Sequence, residues 1–551
     1  MKRIARLILC LGLLSVAPAL AAPQLGAETI KQSLAGPVIS IGHYELDKDG
    51  LNEFYAARDY RPAWDLAGAE NSSALSGFVA SIDKTISYHG LEPTDYALDV
   101  MRQLASAGDE DSHLKLEFLV TDTLLRLAHN LHGDNIDLGE LYVGWKFHRG
   151  EIDIPAVMQK AVAANDVNNV FEQLTPKQTA YRDLAHILEW YNGISLTGGW
   201  KPIAAGPGLK STKDHGPRVL QLRARLAAEG YAIKNPSPGQ ESVFDDGLSV
   251  ALKTYQQRNG LDADGHLGPD TLMALNVPLT GRIEQIRSNM ERWRHMPEDF
   301  PSPRGIIVNI ADASVEILDN GKSIYRGIVI VGQVERKTPF IQSVVRSMIV
   351  NPSWHVPAKI ARADILPKLR KDPHYLEKLG FVIRDNEDDP HGENIDWSNM
   401  ADEEFNFRLR QQPGAMNSLG RIKFDFNNDY AVYMHGTPHQ ELFDKNRRTL
   451  SSGCVRLRDP EKVAEVVLTG TPGVWDIPHI EAKIASKQTR WIGLAQPIPI
   501  TILYWTVFTD ESGAINFRND VYDYDRFLME NLRPAAEVPE SNDNSDSVHT
   551  E

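Results

Sequence analysis

The spacing of apolar residues changes along this 551-residue chain, and that change limits the folds open to it. From residue 28 to 205 they recur at helical intervals, as in Leu114 to Leu131, until Gly198-Gly199-Trp200-Lys201-Pro202 interrupts the pattern. After Arg304, apolar and polar residues alternate, as in Ser314 to Leu318, which is typical of strands. The sequence therefore predicts an α+β chain of several domains, with a helical scaffold at residues 28–205 and a β-rich domain at residues 303–530.

A small module is predicted between these regions, at residues 213–278. Leu220, Leu222 and Leu226 mark one amphipathic helix, residues 248–259 a second, and Gly268-Pro269 begins a third. The stretches Val219-Leu220-Gln221-Leu222-Arg223 and Asp264-Gly265-His266-Leu267-Gly268 resemble the three-helix peptidoglycan-binding domain. The resemblance implies that this module binds cell-wall glycopeptide.

The alternation in the β-rich domain stops at about residue 358 and resumes after residue 412. A charged segment of helices and loops is expected there, as an insertion able to cover a site. Strands are expected again at Ile422 to Phe426 and Ala431 to Met434, and a late hairpin at Ile500 to Phe508 with Ala514 to Phe517.

The two ends of the chain carry no catalytic pattern. Lys2, Arg3 and Arg6 precede the apolar run Leu7 to Leu14, so residues 1–21 are predicted to be a secretory signal peptide, with an uncleaved inner-membrane anchor as the alternative. The acidic segment 533–551 is expected to be disordered. Export makes the periplasm the expected location.

The net charge excludes one class of partner. It is -16 for the whole chain, and removing the three basic residues of the signal peptide leaves -19. So acidic a surface repels phosphodiester backbones, and no nucleic-acid partner is expected.

The mature chain keeps one cysteine, Cys454, because Cys10 lies within the signal peptide. A lone thiol in an exported protein has no disulfide partner, so packing or reactivity must explain it. Gly453 and two serines precede it and Arg456 follows, a setting unlike a core, and a reactive thiol is predicted.

A reactive thiol needs a base or a positive field beside it. His435 is the predicted base, and His355, His439 and His479 are rivals on sequence grounds. Arg447, Arg448 and Arg456 are expected to lower the pKa of the thiol and to attract a carboxylate, whereas Lys445 and Arg458 are expected only to face solvent. Backbone N–H groups at Ser452 and Gly453, with that of Cys454, are the predicted oxyanion donors.

These residues carry a second resemblance. The catalytic domains of L,D-transpeptidases, which cross-link peptidoglycan, have similar blocks: Tyr433-Met434-His435-Gly436-Thr437-Pro438, Ser451-Ser452-Gly453-Cys454-Val455-Arg456, Asn351-Pro352-Ser353-Trp354-His355, and Thr338-Pro339. The likeness runs from Phe54 to Asp525 and is greatest to the large periplasmic subtype with a capping insertion. Many members have histidine at the position of Ser452 and asparagine at that of Arg456, and the large subtype commonly has the serine and arginine.

The resemblance implies a chemistry for the chain. Cys454 would attack the bond between meso-diaminopimelate and the terminal D-alanine of a tetrapeptide stem, with His435 as base. A neighbouring diaminopimelate amine would then take the acyl group. Tyr433, Trp354 and Arg456 are the predicted substrate contacts, and neither a metal nor a cofactor is implied.

Two other functions remain open on sequence grounds. Water in place of the amine would make the chain an L,D-carboxypeptidase, and a chain without catalysis would be a wall-binding scaffold. The family further implies acylation by carbapenems, and the helical region is a possible docking element for other wall-synthesis enzymes.

Overall fold

The computed structural model describes residues 25–36, 39–64, 72–107, 109–164, 166–384 and 386–532. The predicted signal peptide or membrane anchor and the predicted disordered tail lie outside these residues. None of the helices within them has the length and apolar character that spanning a membrane requires.

Helices make up most of the first half of the chain. In chain order they are α1 (Ala27–Leu34), α2 (Lys48–Ala56), α3 (Ser72–Tyr88), α4 (Leu98–Ala107), α5 (Glu110–His132), α6 (Leu138–Leu141), α7 (Ile154–Ala164), α8 (Val167–Leu174), α9 (Thr179–Leu196), α10 (Pro217–Ala228), α11 (Asp246–Arg258), α12 (Pro269–Leu275), α13 (Leu279–Arg294), α14 (Ala358–Ile360), α15 (Leu366–Leu369), α16 (Tyr375–Lys378), α17 (Pro460–Val467), α18 (Ile477–Ala485) and α19 (Tyr524–Leu532).

Strands dominate the second half. They are β1 (Ser40–Ile41), β2 (Tyr44–Glu45), β3 (Gly305–Asn309), β4 (Ser314–Asp319), β5 (Lys322–Gly332), β6 (Ile341–Val350), β7 (Trp354–His355), β8 (Phe381–Ile383), β9 (Leu409–Gln411), β10 (Ile422–Phe426), β11 (Met434–His435), β12 (Thr449–Ser451), β13 (Val455–Leu457), β14 (Arg490–Leu503), β15 (Val507–Thr509) and β16 (Ile515–Phe517).

The chain forms two compact units. Among the described residues, one unit contains those within 25–130, 153–170 and 523–532, and the other contains those within 131–152 and 171–522. In the first, the buried Tyr55 hydroxyl donates to Glu117 Oε1 at 2.9 Å and lies 2.7 Å from the Thr121 hydroxyl. Burial raises the pKa of Glu117 to about 7, so a polar network lies inside this helical core.

The three-helix module lies in the second unit. Asp245 caps α11 by accepting from the Leu248 N–H at 2.8 Å, and Pro269 begins α12, where a missing N–H costs nothing. Leu222, Leu252 and Tyr255 pack at its centre with other apolar side chains of α10 to α12. The predicted helical region, three-helix module and β-rich domain are thus confirmed as the architecture.

Nine strands form the main sheet of the second unit, in the order β12-β5-β13-β11-β10-β6-β14-β3-β4. The sheet closes on itself because β4 also pairs with β5. The long strand β14 begins at Arg490, ten residues before the predicted hairpin, and the hairpin itself is only β15 with β16.

The insertion has a core of its own. Its helices α14 to α16 were expected, but β7, β9 and β8 also form a separate three-stranded sheet. Leu366, Leu369 and Trp397 are fully buried there with Phe381 and Leu409. The expectation of only helices and loops was therefore incomplete, because the strands are too short to give an alternating pattern.

Candidate active site

Three neighbouring strands of the main sheet place the predicted nucleophile and base on one face. β11 runs parallel to β13, with Met434 opposite Val455 and His435 opposite Arg456, and Lys423 of β10 lies opposite His435 on the other side. Side chains alternate between the two faces of a sheet, so Lys423, His435 and Arg456 lie on the same face. The residues two positions before His435 and Arg456 lie on that face as well.

Those residues are Tyr433 and Cys454. The Val455 N–H donates to Tyr433 O at 3.1 Å, which continues the pairing of the two strands to this point. The strand predicted at Ala431 to Met434 is shorter than expected, because Ala431 has φ +53°, outside the extended region. His435 consequently lies within the short strand rather than after it.

The loop before Cys454 is fixed by hydrogen bonds from both sides. Ser451 Oγ donates to Cys454 O at 2.6 Å and accepts from the Gly453 N–H at 3.1 Å. The buried Thr338 Oγ1 donates to Gly453 O and accepts from the Gly332 N–H, both at 2.8 Å. Gly453 has φ +114°, where an L side chain is strained, which explains glycine at this position.

The same bonds correct one prediction about oxyanion donors. The Gly453 N–H is already satisfied by Ser451 Oγ, so it does not point a free donor at a substrate. Among the described residues no acceptor takes the N–H of Ser452 or Cys454. These two groups are the ones available to an oxyanion.

The Cys454 side chain is half-buried, and its Sγ donates to Ala431 O at 3.9 Å. Burial raises the pKa of the thiol and outweighs the lowering by the Tyr433 backbone, Arg456 and Lys423. The expectation that nearby arginines lower this pKa overall is wrong, because the loss of hydration is the larger effect. Cys454 rests as a neutral thiol.

His435 is buried, with 4% of its surface exposed. Its Nδ1 lies 2.5 Å from Gly436 O, and this contact orients the ring. Burial, together with Arg456 and Lys423, lowers the pKa of His435 to about 3, so the imidazole is neutral at pH 7. Within the described part of the chain no hydrogen bond joins this ring to the thiol, and catalytic hydrogen bonds in free enzymes often form only in the substrate complex.

The three rival histidines are not on the strands beside the nucleophile. His439 is exposed and 3.3 Å from Glu441 Oε1, and His479 is 2.5 Å from Asp476 Oδ1 at the start of α18. His355 is exposed on β7 in the small sheet of the insertion. Of the four histidines, only His435 lies on the strand beside Cys454.

The predicted substrate contacts surround the thiol. The Trp354 side chain hydrogen-bonds to Tyr433, and the Lys423 ammonium lies 4.2 Å from the centre of the Tyr433 ring. Arg456 is half-buried, and no carboxylate of the described residues pairs with it. A guanidinium beside the thiol, with no ion-pair partner, leaves a place for a substrate carboxylate.

Two contributing residues were given no role by the sequence reasoning. Lys423 lies opposite His435 in the sheet. The sequence signal for it was an acidic residue two positions later, Asp425, whose carboxylate lies 2.9 Å from the Lys423 ammonium. Arg336 donates to Ser452 Oγ at 3.0 Å and to both carboxylate oxygens of Asp364 in the insertion, at 2.6 and 2.9 Å. No local pattern reveals this second link, because its partners lie 28 and 116 residues away.

Comparison with known proteins matches three segments. Residues 303–474 match the L,D-transpeptidase catalytic domain, residues 49–188 a scaffold domain, and residues 215–275 a family described as "Putative peptidoglycan binding domain". A Haemophilus influenzae protein described as "Putative L,D-transpeptidase" is 32% identical over 274 residues, which cover 48% of this chain and 54% of that protein. The chain thus spans about half the length of this curated relative.

Two solved structures are also similar in part. An L,D-transpeptidase from Xylanimonas cellulosilytica is 14% identical and covers 55% of this chain and 100% of its own, with a TM-score of 0.18. One from Stackebrandtia nassauensis is 12% identical and covers 55% of this chain and 97% of its own, with a TM-score of 0.21. At such low scores neither structure establishes a shared fold.

Proposed function

We propose, from the premise that this chain carries an L,D-transpeptidase catalytic domain beside a peptidoglycan-binding domain, that it forms direct diaminopimelate–diaminopimelate cross-links in peptidoglycan. The observation that carries the proposal is the common sheet face of Cys454 and His435, which the half-buried Arg456 shares without a carboxylate partner among the described residues. A nucleophile, a base and a carboxylate-binding cation are the groups an acyl transfer from a wall peptide needs.

The first half-reaction forms a thioester. The Cys454 sulfur attacks the carbonyl carbon of the bond between diaminopimelate and terminal D-alanine, while His435 accepts the thiol proton. The N–H groups of Ser452 and Cys454 stabilise the oxyanion. His435 then gives the proton to the leaving nitrogen, the C–N bond breaks, and D-alanine departs.

The second half-reaction reverses these roles. The side-chain amine of a neighbouring diaminopimelate attacks the thioester, and its proton passes through His435 back to sulfur. Because the Cys454 thiol and His435 both rest neutral in the free enzyme, transfer of the thiol proton in the first half-reaction accompanies formation of the C–S bond rather than preceding it. Arg456 holds a substrate carboxylate, while Tyr433 and Trp354 contact the peptide beside it.

The insertion favours transfer over hydrolysis. Arg336 ties Asp364 of the insertion to Ser452, next to the nucleophile loop, so the insertion lies close to the thiol. A cover that excludes water protects a thioester until the amine arrives. An L,D-carboxypeptidase activity is the alternative with the same residues.

Incubation with purified disaccharide tetrapeptide tests the proposal. Cross-linked dimers with release of D-alanine are expected, whereas tripeptide alone would identify a carboxypeptidase. Cys454→Ala should abolish both products while the protein still binds isolated sacculi. Unchanged cross-linking by Cys454→Ala would refute the role of the thiol, and a wild-type protein that binds sacculi without any product would be a scaffold.

The proposal includes a location and an inhibitor. The protein acts in the periplasm after export by residues 1–21, either free or held by an uncleaved anchor, and the helical region recruits other wall-synthesis enzymes. A carbapenem acylates Cys454, which mass spectrometry detects as an adduct that Cys454→Ala lacks.

A further inference from the structure

A second basic site lies on the main sheet, away from the thiol. Four arginines, Arg326, Arg448, Arg458 and Arg518, line an open cleft of about 370 Å³ in the second unit. Arg458 was expected only to face solvent, and it is exposed, but it lies beside three other guanidinium groups. Such a concentration of positive charge is unusual in a chain of net charge -16.

The acidic residues at the cleft neutralise these cations only in part. Asp312 is shared between Arg518, whose Nε donates to it at 2.5 Å, and Arg326, whose guanidinium is 3.4 Å away. Asp510 accepts from Ser512 and the Ala514 N–H within its own hairpin turn. Arg458 pairs with Asp459 at 3.0 Å, so four guanidinium groups face the three carboxylates of Asp312, Asp510 and Asp459, and one positive charge is left in excess.

No carboxylate of the described residues lies within ion-pair distance of Arg448. Its side chain donates to two backbone oxygens, Lys445 O at 3.1 Å and Asp312 O at 3.2 Å, and its Nε is buried without an acceptor. Burial is the main cause that lowers the pKa of Arg448; the charge of Asp312 opposes it, and the charges of Arg518 and Arg458 add to it. An anion entering the cleft would relieve this repulsion.

One arginine of the cleft, Arg458, follows Cys454 by four residues along the chain. Arg456 pairs with Ile330 of β5 and the Arg458 N–H donates to Ile328 O, so Cys454, Arg456 and Arg458 follow one another on the same sheet face. At about 3.3 Å per residue, Arg458 is roughly 13 Å from Cys454, the length of about four extended peptide residues.

The cleft also adjoins the three-helix module. Arg518 donates to Arg258 O, at the end of α11, at 2.9 Å. One arginine of the cleft thus contacts the module, and another follows the nucleophile along the chain. We infer that the four-arginine cleft is a second binding site for the carboxylates of a peptidoglycan stem peptide whose reacting end lies at Cys454. This inference rests on the proposed function.

The test compares arginines inside and outside the cleft. Arg326→Gln and Arg458→Gln remove exposed side chains without entering the catalytic machinery, and Arg346→Gln removes an exposed arginine of β6 as the matched control. Thermal unfolding verifies that all three variants are folded. With disaccharide tetrapeptide as substrate, each cleft variant should raise KM roughly tenfold with kcat unchanged, the effect of one charge-assisted hydrogen bond.

Three further readouts keep this inference separate from the proposed function. A carbapenem lacks the remote carboxylates of a stem peptide, so it should acylate Cys454 at the wild-type rate in all variants. A KM unchanged in both cleft variants while wild type forms product overturns the inference alone, whereas a wild type without product overturns the proposed function. Free phosphate that competes as strongly as stem tripeptide also overturns the inference, because the cleft would then be a general anion site.

Discussion

Thr338 is the side chain on which the geometry of the nucleophile loop most depends. It is fully buried, and its hydroxyl makes two hydrogen bonds of 2.8 Å, donating to Gly453 O and accepting from the Gly332 N–H. Thr338→Val keeps the shape of the side chain and removes both bonds. Each buried group left without a partner costs about 1–3 kcal/mol, so the variant should lose roughly 2–6 kcal/mol of unfolding free energy.

The effect on chemistry should exceed what stability alone explains. Gly453 immediately precedes Cys454, so a carbonyl freed from Thr338 lets the loop move and misplaces the thiol. A loss of about 1.4 kcal/mol in transition-state stabilisation lowers the rate of carbapenem acylation about tenfold. Urea unfolding gives the first quantity, and time-resolved mass spectrometry of the folded variant gives the second.

Thr501→Val is the matched control for this variant. Thr501 is also buried in the main sheet, at 8% exposure, and its hydroxyl makes no hydrogen bond to any described residue. Loss of the Thr501 hydroxyl should change the unfolding free energy by less than about 1 kcal/mol. Equal stability and equal acylation of the two valine variants would show that Thr338 does not fix the loop.

Three other predictions concern the same site. Because burial raises the pKa of Cys454, its alkylation by iodoacetamide should accelerate about tenfold per pH unit up to at least pH 8, and a plateau near pH 6 would indicate a thiolate instead. His435, with a folded pKa of about 3, binds a proton more readily when unfolded, so its contribution to stability is complete above about pH 6.5 and is lost as pH falls toward 3. Chemical unfolding at pH 7 and pH 4 should show a lower free energy at pH 4, and a flat profile would contradict the buried neutral ring. Asp364→Asn weakens the partly exposed ion pair with Arg336, so the free energy of unfolding should change by less than about 1 kcal/mol while kcat for cross-linking falls about fivefold. An unchanged kcat would show that the insertion does not act on the nucleophile loop.

Local patterns gave most of the architecture. Helical spacing in the first half and alternation after Arg304 depend on neighbours a few residues apart, which a sequence displays directly. The turn at Asp319-Asn320-Gly321 also indicates the hairpin of β4 with β5, whereas the pairing of β5 with β13, Ile330 with Arg456, joins residues more than 120 positions apart and does not follow from such patterns. The small sheet of the insertion was missed for the same reason, since Trp354–His355 pairs with residues more than 50 positions away.

Sequence by itself determined the chemical groups: one thiol after a glycine, a histidine 19 residues before it, and arginines on both sides. Tertiary structure decided what those groups do at rest. Burial outweighs the arginines and keeps Cys454 a neutral thiol, Ser451 occupies the Gly453 N–H, and strand pairing brings Lys423 to His435 and a cluster of arginines to one cleft. Solvation and pairing over long separations depend on the whole fold, whereas residue type and spacing are written in the chain.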